Sequence, residues 1–365
     1  MKTSFQIGKI MGIPIKLHIT FLLILPVFAW NFAANPSQFG FSDQDIPLRY
    51  VLSIAMAVSL FVCVILHELG HSYIAKKHGT NIQSITLFLF GGVSSMEEIP
   101  RDPKTEFKMA LAGPGVSFLI SLIFMIIYLI FKSSADSFMS INDPYLRLFW
   151  MISIINIMLG IFNLIPAFPM DGGRVLRAWL AQRTTYIRAT REAAGIGKMF
   201  AIFMGIFGLF YSFWFLLIAF FIYIGASEEE KSTEINVILE GVKIRDIMSK
   251  EVQTVTSGMS VEELVENIFR FKHMGYPVVD DGQLKGMVTF TDVQKVPKEE
   301  RKVVKVSQVM SKNIIGLQED DDAVNALKLM TVKNIGRIIV KKGETISGIV
   351  SRTDIIRAIQ LLEKR

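Results

Sequence analysis

The sequence predicts a polytopic α-helical membrane protein that is followed by a soluble pair of α/β repeats. The chain has 365 residues, of which 51% are apolar and only 20% are charged. Soluble globular proteins average about 25% charged residues. The charges are also uneven, since long uncharged runs fill the first 227 residues and a charged, internally repeated region follows. An ordinary soluble enzyme is therefore a poor fit.

Several uncharged runs are long enough for membrane helices, because a helix needs about 20 apolar residues to cross the hydrocarbon. These runs cover residues 17–42, 50–66, 109–131, 148–170 and 199–227. The last run is too long for one span, so we expect two helices, about 187–209 and 211–227, that turn near Gly208. The expected total is about six transmembrane helices.

Lys and Arg residues predict the orientation, since they concentrate in cytoplasmic loops. They precede the first span, they occur at both ends of the 76–108 loop, and they follow the fourth span at 171–191. We therefore expect a multi-pass protein of the cell membrane with a cytoplasmic N-terminus and a cytoplasmic C-terminal region. This placement explains the net charge of +6 without a nucleic-acid partner. The single cysteine, Cys63, excludes a disulfide framework and a thiolate zinc cluster.

The region after Ser227 repeats itself. IRDIMSK at 244–250 recurs as VSQVMSK at 306–312, and GMVTFTD at 286–292 recurs as GIVSRTD at 348–354, both at an offset of 62. Each copy also contains an amphipathic helix and a strand pair around DDG or KKG, which are hairpin turn signals. We expect two units, 241–300 and 301–365, that pack against each other. The charged segment 228–240 is expected to be a solvated linker.

The HELGH sequence at 67–71 is a candidate metal-binding motif. Positions i and i+4 share one helix face, so His67 and His71 can hold one zinc ion, and Glu68 is suited to take a proton from zinc-bound water. The motif ends an uncharged span, where ionisable groups are costly and usually functional. The alternative is a satisfied polar triad at a helix end.

A catalytic zinc site has three protein ligands, so a third must come from elsewhere. Asp171 in NLIPAFPMDGGR (163–174) is the best candidate, because glycines that follow it let the backbone approach closely. An N-cap of the next helix is a serious alternative for this residue. Asp102 and Glu97 are other carboxylates in a polar loop. His18 is expected to cap a helix or lie at the membrane interface rather than bind metal.

Together, HELGH at the end of a span and NLIPAFPMDGG about 100 residues later resemble the site-2 protease family of intramembrane zinc metalloproteases. The resemblance covers about residues 1–227. The two signatures in the repeats resemble a tandem pair of cystathionine-β-synthase (CBS) domains, over about 240–365. The fold is thus expected to be a transmembrane zinc metalloprotease domain with a small membrane-associated β-segment, joined to a soluble α/β tandem CBS domain pair.

The site-2 protease resemblance implies roles for particular residues. His67, His71 and Asp171 would be the ligands of one zinc ion per chain, and Glu68 would be the general base. Asn163 would hydrogen-bond the substrate carbonyl or the oxyanion, although a helix-packing amide is the alternative.

The resemblance also implies a substrate and a place for it. Residues 82–96 would form the family's membrane-associated β-segment, whose free edge can pair with an unwound substrate. The substrate would be a membrane-anchored protein, cleaved in or near its transmembrane segment within the lipid bilayer. Ser117 stands near a position where the family often has asparagine, which leaves a substrate or packing contact open.

The CBS resemblance implies a nucleotide site. Asp292 and Asp354 would hold the ribose hydroxyls of ATP or another adenine nucleotide, and Thr289 and Ser351 would contact phosphate. The nucleotide would then regulate the protease. Thr-x-x-Asp before a helix is also a capping signature, and many such pairs only form a homodimer.

Two other functions are compatible with parts of the sequence. CBS pairs also occur on membrane transporters and channels that nucleotides gate, but such a function leaves HELGH and Asp171 unexplained. An inactive member of the family would act as a membrane scaffold, but both histidines, Glu68 and Asp171 are present. Zinc content distinguishes the protease from the transporter.

Overall fold

The computed structural model describes residues 4–88, 91–96, 102–132, 141–343 and 345–363. These divide into two compact units, Met1–Lys231 and Ser232–Arg365. Each unit is described by itself.

The first unit contains a four-stranded sheet and two early helices. Its first elements are β1 (Ser4–Ile10), β2 (Ile13–His18), α1 (Ile19–Ala34), α2 (Ile46–Lys77), β3 (Ile82–Phe88) and β4 (Gly91–Met96). The sheet order is β1-β2-β3-β4, with β2 and β3 parallel and the outer pairs antiparallel. The β-segment predicted at 82–96 is confirmed as a strand pair, whose connection at 89–90 lies outside the described residues. The β1–β2 hairpin was not predicted.

The sheet packs on the C-terminal half of α2. Ile13 and Ile15 of β2 and Ile85 of β3 are almost fully buried, and they form a cluster with Leu69 and Ala75 of α2. Burial of this apolar face explains why the short N-terminal hairpin is ordered. It also places the sheet beside the helix segment that carries HELGH.

The helices that follow are α3 (Pro103–Phe131), α4 (Pro144–Asn163), α5 (Asp171–Leu180), α6 (Tyr186–Tyr211) and α7 (Phe213–Ile238), and the last residues of α7 belong to the second unit. Within the described ranges, four helices are long and apolar enough to cross a membrane, namely α2, α3, α4 and α6. Helix α1 is shorter, with 16 residues, and the apolar run at the start of α7 leads into acidic residues. The total of about six spans therefore stays a prediction.

The last uncharged run does form two helices. Helix α6 ends at Tyr211 and α7 begins at Phe213, close to the turn expected near Gly208. The segment predicted as a solvated linker, 228–240, is helical for most of its length, because α7 continues through Ile238. Glu230 in this segment pairs with Lys198 of α6 at 2.6 Å, so its charge stabilises helix packing.

The second unit contains the two repeats. The first has α8 (Ile244–Ile247), α9 (Val261–Phe271), β5 (Gly275–Asp280), β6 (Gln283–Thr289) and α10 (Phe290–Gln294). The second has α11 (Val306–Val309), β7 (Gly316–Gln318), α12 (Ala323–Val332), β8 (Arg337–Lys342), β9 (Thr345–Ser351) and α13 (Arg352–Leu362). Strand β5 pairs antiparallel with β6, and β8 pairs with both β7 and β9.

The repeats exchange their signature segments. Ser249 bridges to Ile349 in the second repeat, and Ser311 bridges to Met287 in the first. Ile244 is buried in the core of the second repeat, whereas Val306 is buried in the core of the first. The expected packing of the two copies is thus confirmed, and neither copy completes its core alone.

Candidate active site

The HELGH motif lies near the C-terminal end of α2. His67 and His71 are each only 4% exposed, and their Nε2 atoms are 3.2 Å apart. Glu68 lies between them in sequence and is partly exposed. The helix thus presents two imidazoles to the protein interior and a carboxylate beside them, as the i, i+4 spacing predicts.

Asp171 completes this cluster from the first turn of α5. Its Oδ2 atom is 3.1 Å from Nε2 of His67 and 3.1 Å from Nε2 of His71. Met170 is the N-cap residue of α5, and no side-chain capping bond is present there. The alternative interpretation of Asp171 as a helix cap is therefore not supported.

The backbone around Asp171 depends on glycine. A Cβ atom on Gly172 would lie 2.2 Å from the carbonyl oxygen of Ile165 and 2.4 Å from that of Leu164. The start of α5 therefore lies directly against the end of the preceding segment, and only glycine fits there. This close approach, which the sequence predicts, brings Asp171 to the histidines.

A buried ion cluster fixes the other end of α5. Nε of Arg177 donates to Oε1 of Glu106 in α3 at 2.8 Å, and Nη1 donates to Oε1 of Glu229 in α7 at 2.6 Å. Burial would lower the pKa of Arg177, but the carboxylates of Glu106 and Glu229 raise it above its ordinary value. The guanidinium stays charged and holds α5 on its neighbours. The sequence pattern does not predict this cluster.

The outer ring nitrogens set the orientation of both imidazoles. Nδ1 of His71 is 2.7 Å from the carbonyl oxygen of Met109, and Nδ1 of His67 is 2.9 Å from Oγ of Ser117. A carbonyl oxygen can only accept, so Nδ1 of His71 donates, and in the neutral imidazole Nε2 then keeps a lone pair. Ser117, whose contact the sequence left open, thus contacts His67.

The donor set fits one zinc ion. Ligand atoms of the two histidines and Asp171 all lie within 4.8 Å of one another. Tetrahedral ligands at 2.0–2.1 Å from zinc are roughly 3.3 Å apart, close to the distances of 3.1–3.2 Å here. Lone pairs that face one another this closely repel unless a cation lies among them.

Gly113 of α3 lies directly against both imidazoles. A Cβ atom on Gly113 would lie 2.2 Å from Nε2 of His71 and 2.7 Å from Nε2 of His67. Any side chain there would collide with both imidazoles. The sequence contains AGPG at 112–115, but only the packing of α3 on α2 shows what the glycine does.

The remaining candidate residues from the sequence make contacts of other kinds. Asn163 ends α4, and its Nδ2 donates to the carbonyl oxygen of Leu159 at 2.9 Å. His18 accepts from the backbone NH of Thr20 and caps α1, as expected. Asp102 caps α3, and Glu97 lies outside the described residues.

The four predicted nucleotide-binding residues form two local capping boxes. Oδ2 of Asp292 accepts from the backbone NH and hydroxyl of Thr289, at 3.1 and 2.7 Å. Oδ2 of Asp354 accepts from the same groups of Ser351, at 2.8 and 2.7 Å. The capping role, which the sequence left open, is therefore present in both repeats.

Comparisons with known proteins identify both parts of the chain. The family profile "Peptidase family M50" matches residues 55–144 and 130–206, and the CBS domain profile matches 244–299 and 306–361. A zinc metalloprotease of Methanocaldococcus jannaschii is 39% identical over 364 residues, which cover 100% of this chain and 98% of that protein. This chain belongs to peptidase family M50.

A further relative agrees with this assignment. The Mycobacterium tuberculosis protein Rip3 is 29% identical over 378 residues, covering 99% of this chain and 94% of that protein. The solved structure of a site-2 protease from Methanocaldococcus jannaschii is 41% identical and covers 62% of this chain and 95% of that chain, with a TM-score of 0.45. The protein is a membrane-bound, zinc-dependent intramembrane protease with tandem CBS domains.

Proposed function

We propose that His67, His71 and Asp171 hold the zinc ion of this protease and that Glu68 is its general base. The observation that carries the proposal is the convergence of three buried donor atoms from α2 and α5, all within 4.8 Å of one another. The three residues are separated by up to 104 positions in sequence, so their meeting depends on the fold.

Each residue of the proposed centre has its own role in peptide-bond hydrolysis. Zinc, when bound, supplies Lewis acidity for the substrate carbonyl and makes water more acidic. The Glu68 carboxylate accepts the proton of the attacking water and later delivers it to the leaving amine. Ser117 and the carbonyl of Met109 keep both imidazoles in the orientation that directs Nε2 inward. Gly113 leaves space at the reacting centre.

The substrate is proposed to bind as an extended strand. Strand β4 is an edge of the described sheet, because it pairs with β3 on one side only. An unwound segment of a membrane-anchored protein can hydrogen-bond along such an edge. Asn163 is proposed to bind the substrate carbonyl or oxyanion, for which its position eight residues before Asp171 is the support.

We further propose that an adenine nucleotide binds the CBS pair through Thr289, Asp292, Ser351 and Asp354 and changes the cleavage rate. It can do so only if its affinity differs between two arrangements of the protein. The competing role is a homodimer contact through the same repeats.

The proposed orientation has the N-terminus and the repeats in the cytoplasm. The proposed domains are residues 1–227, 241–300 and 301–365.

One experiment tests the proposed centre. Purified protein is incubated with a single-span test substrate, with and without a zinc chelator, and bound zinc is counted in parallel. We expect about one zinc per chain, cleavage that the chelator stops, and loss of zinc in the H67A/H71A double variant. Stoichiometric zinc in that variant would refute the ligand assignment.

A further inference from the structure

The turn of the N-terminal hairpin contains an unusual residue. Met11 and Gly12 form the two-residue loop between β1 and β2, and both have positive φ, at +55° and +79°. Such loops strongly favour Asn, Asp or Gly at the first position, because a bulky side chain at positive φ is strained. Met11 is nevertheless found there, and 46% of it is exposed. Strain kept at an exposed turn points to a function of the side chain.

Met11 and its neighbour Ile10 form one wall of an apolar groove of about 450 Å³. The other walls include residues of α2 and α3, namely Leu66, Leu69, Tyr73 and Val116. The α2 residues recur at i, i+3 and i+7, so they share one face of the helix, and it differs from the face of His67 and His71. The groove therefore lies outside the proposed metal centre. Both helices are apolar enough to cross a membrane, so the groove is within reach of lipid chains.

Two lysines lie at one end of this groove. Lys76 and Lys77 belong to the last turn of α2, and they line a pocket together with Met11 and Tyr73, which also line the groove. Nζ of Lys76 donates to the carbonyl oxygen of Met11 at 2.9 Å, which holds the turn on α2. An ammonium group has three N–H donors, so two remain for a ligand. Within the described ranges, neither lysine forms an ion pair. This end of the groove is thus positively charged.

An apolar groove with positive charge at one end matches a single class of ligand. We infer that this chain binds one anionic phospholipid, with a hydrocarbon chain along Met11 and Leu69 and the phosphate on Lys76 and Lys77. Lysines beside a membrane attract anionic lipid, and the burial of a hydrocarbon chain adds affinity. A soluble anion lacks the chain, and a zwitterionic lipid lacks the net charge. The bound lipid also holds the hairpin on α2, next to the helix segment that carries HELGH.

Native mass spectrometry of the full-length, delipidated protein in detergent tests the inference. The probes are phosphatidylglycerol and phosphatidylcholine with the same acyl chains, and inorganic phosphate. We expect one phosphatidylglycerol per chain, bound about fivefold or more tightly than phosphatidylcholine, because each lysine favours a net negative headgroup. Millimolar inorganic phosphate should not displace the lipid, since phosphate cannot occupy the apolar groove.

A matched pair of lysine variants tests the headgroup contact. Lys77→Gln should weaken phosphatidylglycerol about fivefold and leave phosphatidylcholine nearly unchanged. Lys132→Gln makes the same change of charge at the C-cap of α3, away from the groove, and should bind both lipids like wild type.

A second pair tests the hydrocarbon contact. Met11→Asn removes the apolar side chain but keeps the turn, because Asn adopts positive φ readily. It should weaken both lipids about fivefold, whereas Met11→Leu keeps an apolar side chain and should bind like wild type. Thermal denaturation without lipid should show that Met11→Asn is at least as stable as wild type, which separates lost binding from lost folding.

Other occupants of the groove give different results. If the groove holds the transmembrane segment of the substrate, Met11→Asn should raise KM for the single-span substrate without lipid and leave phosphatidylglycerol binding unchanged, which would overturn the inference. Equal affinities for the two lipids, or a Lys77 variant that binds phosphatidylglycerol as tightly as the Lys132 variant, would overturn it as well. Displacement of the lipid by inorganic phosphate alone would show an anion site without a role for the groove.

Discussion

Asp171 and the two aspartates of the repeats are held by different kinds of contact. Asp171 has no capping bond to its own helix and meets His67 and His71, which come from a distant part of the chain. Asp292 and Asp354 are each satisfied by a residue three positions earlier. A buried ionisable group with no local partner must be satisfied by a tertiary contact or a ligand. The comparison teaches that a motif whose side chains already satisfy one another locally is weaker evidence of a ligand.

The largest loss of cleavage activity is expected from Glu68→Gln. The amide cannot accept the proton of the attacking water, so cleavage should fall by about 10²–10⁴-fold while zinc stays bound. Glu192→Gln, which removes an exposed partner of Arg188 on α6, is the control and should cleave normally. Cleavage by the Glu68 variant near the wild-type rate would remove this residue from the mechanism.

Asp171→Ala tests directly whether Asp171 differs from an aspartate that only caps a helix. Loss of the carboxylate should lower zinc content and activity together, because only two protein ligands remain. Asp102→Ala removes a true capping carboxylate from α3 and should lower the melting temperature without loss of zinc. If the Asp171 variant also keeps stoichiometric zinc and loses only stability, the third ligand lies elsewhere.

Gly113→Ala should displace the metal without removing any ligand. The new methyl would lie 2.2 Å from Nε2 of His71, so zinc affinity and cleavage should both drop. Gly115→Ala is a matched control on the same helix, since a Cβ atom there has no neighbour within 4 Å. Metal analysis and the cleavage assay measure both variants. Normal zinc binding in the Gly113 variant would show that the helix can shift at little cost.

Ser117→Ala should lower zinc affinity by a smaller factor. It removes the hydroxyl beside Nδ1 of His67, and such supporting contacts are typically worth about 10–100-fold in metal affinity. Ser121→Ala removes a buried hydroxyl on the same helix as Ser117, which contacts Ser153 of α4, and should leave zinc affinity unchanged. Competition with a calibrated chelator measures both. Equal affinities in the two variants would limit Ser117 to packing.

The smallest effect is expected in the repeats, from Ser351→Ala. This change removes the hydroxyl that accepts from the backbone NH of Asp354, and loss of such a cap costs about 0.5–2 kcal/mol. Thermal denaturation measures the loss, and zinc content should not change. A variant as stable as wild type would mean that Asp354 is held by other contacts, and the contrast with Asp171 would weaken.

Local patterns were enough to predict several features. The spacing of HELGH predicts that two imidazoles share a helix face, and the fold agrees. The offset of 62 predicts two equivalent units that pack together, and their reciprocal bridges agree. These features depend on helix periodicity, repetition and apolar run length, which neighbouring residues determine. The helix over most of 228–240 was not predicted, since its charges find partners on other helices that a local pattern does not show.

The sequence by itself determined the membrane character, the repeat pair and the types of residue at the proposed metal centre, because hydropathy and motif spacing are properties of the chain. Only the tertiary structure decided the contacts of those residues. The orientation of His67 by Ser117 and the space left by Gly113 require α3 to lie against α2 at close range. The exchange of signature segments between repeats also needs the folded pair. These contacts join residues far apart in sequence, and burial of apolar surface, which depends on the whole packed unit, selects them.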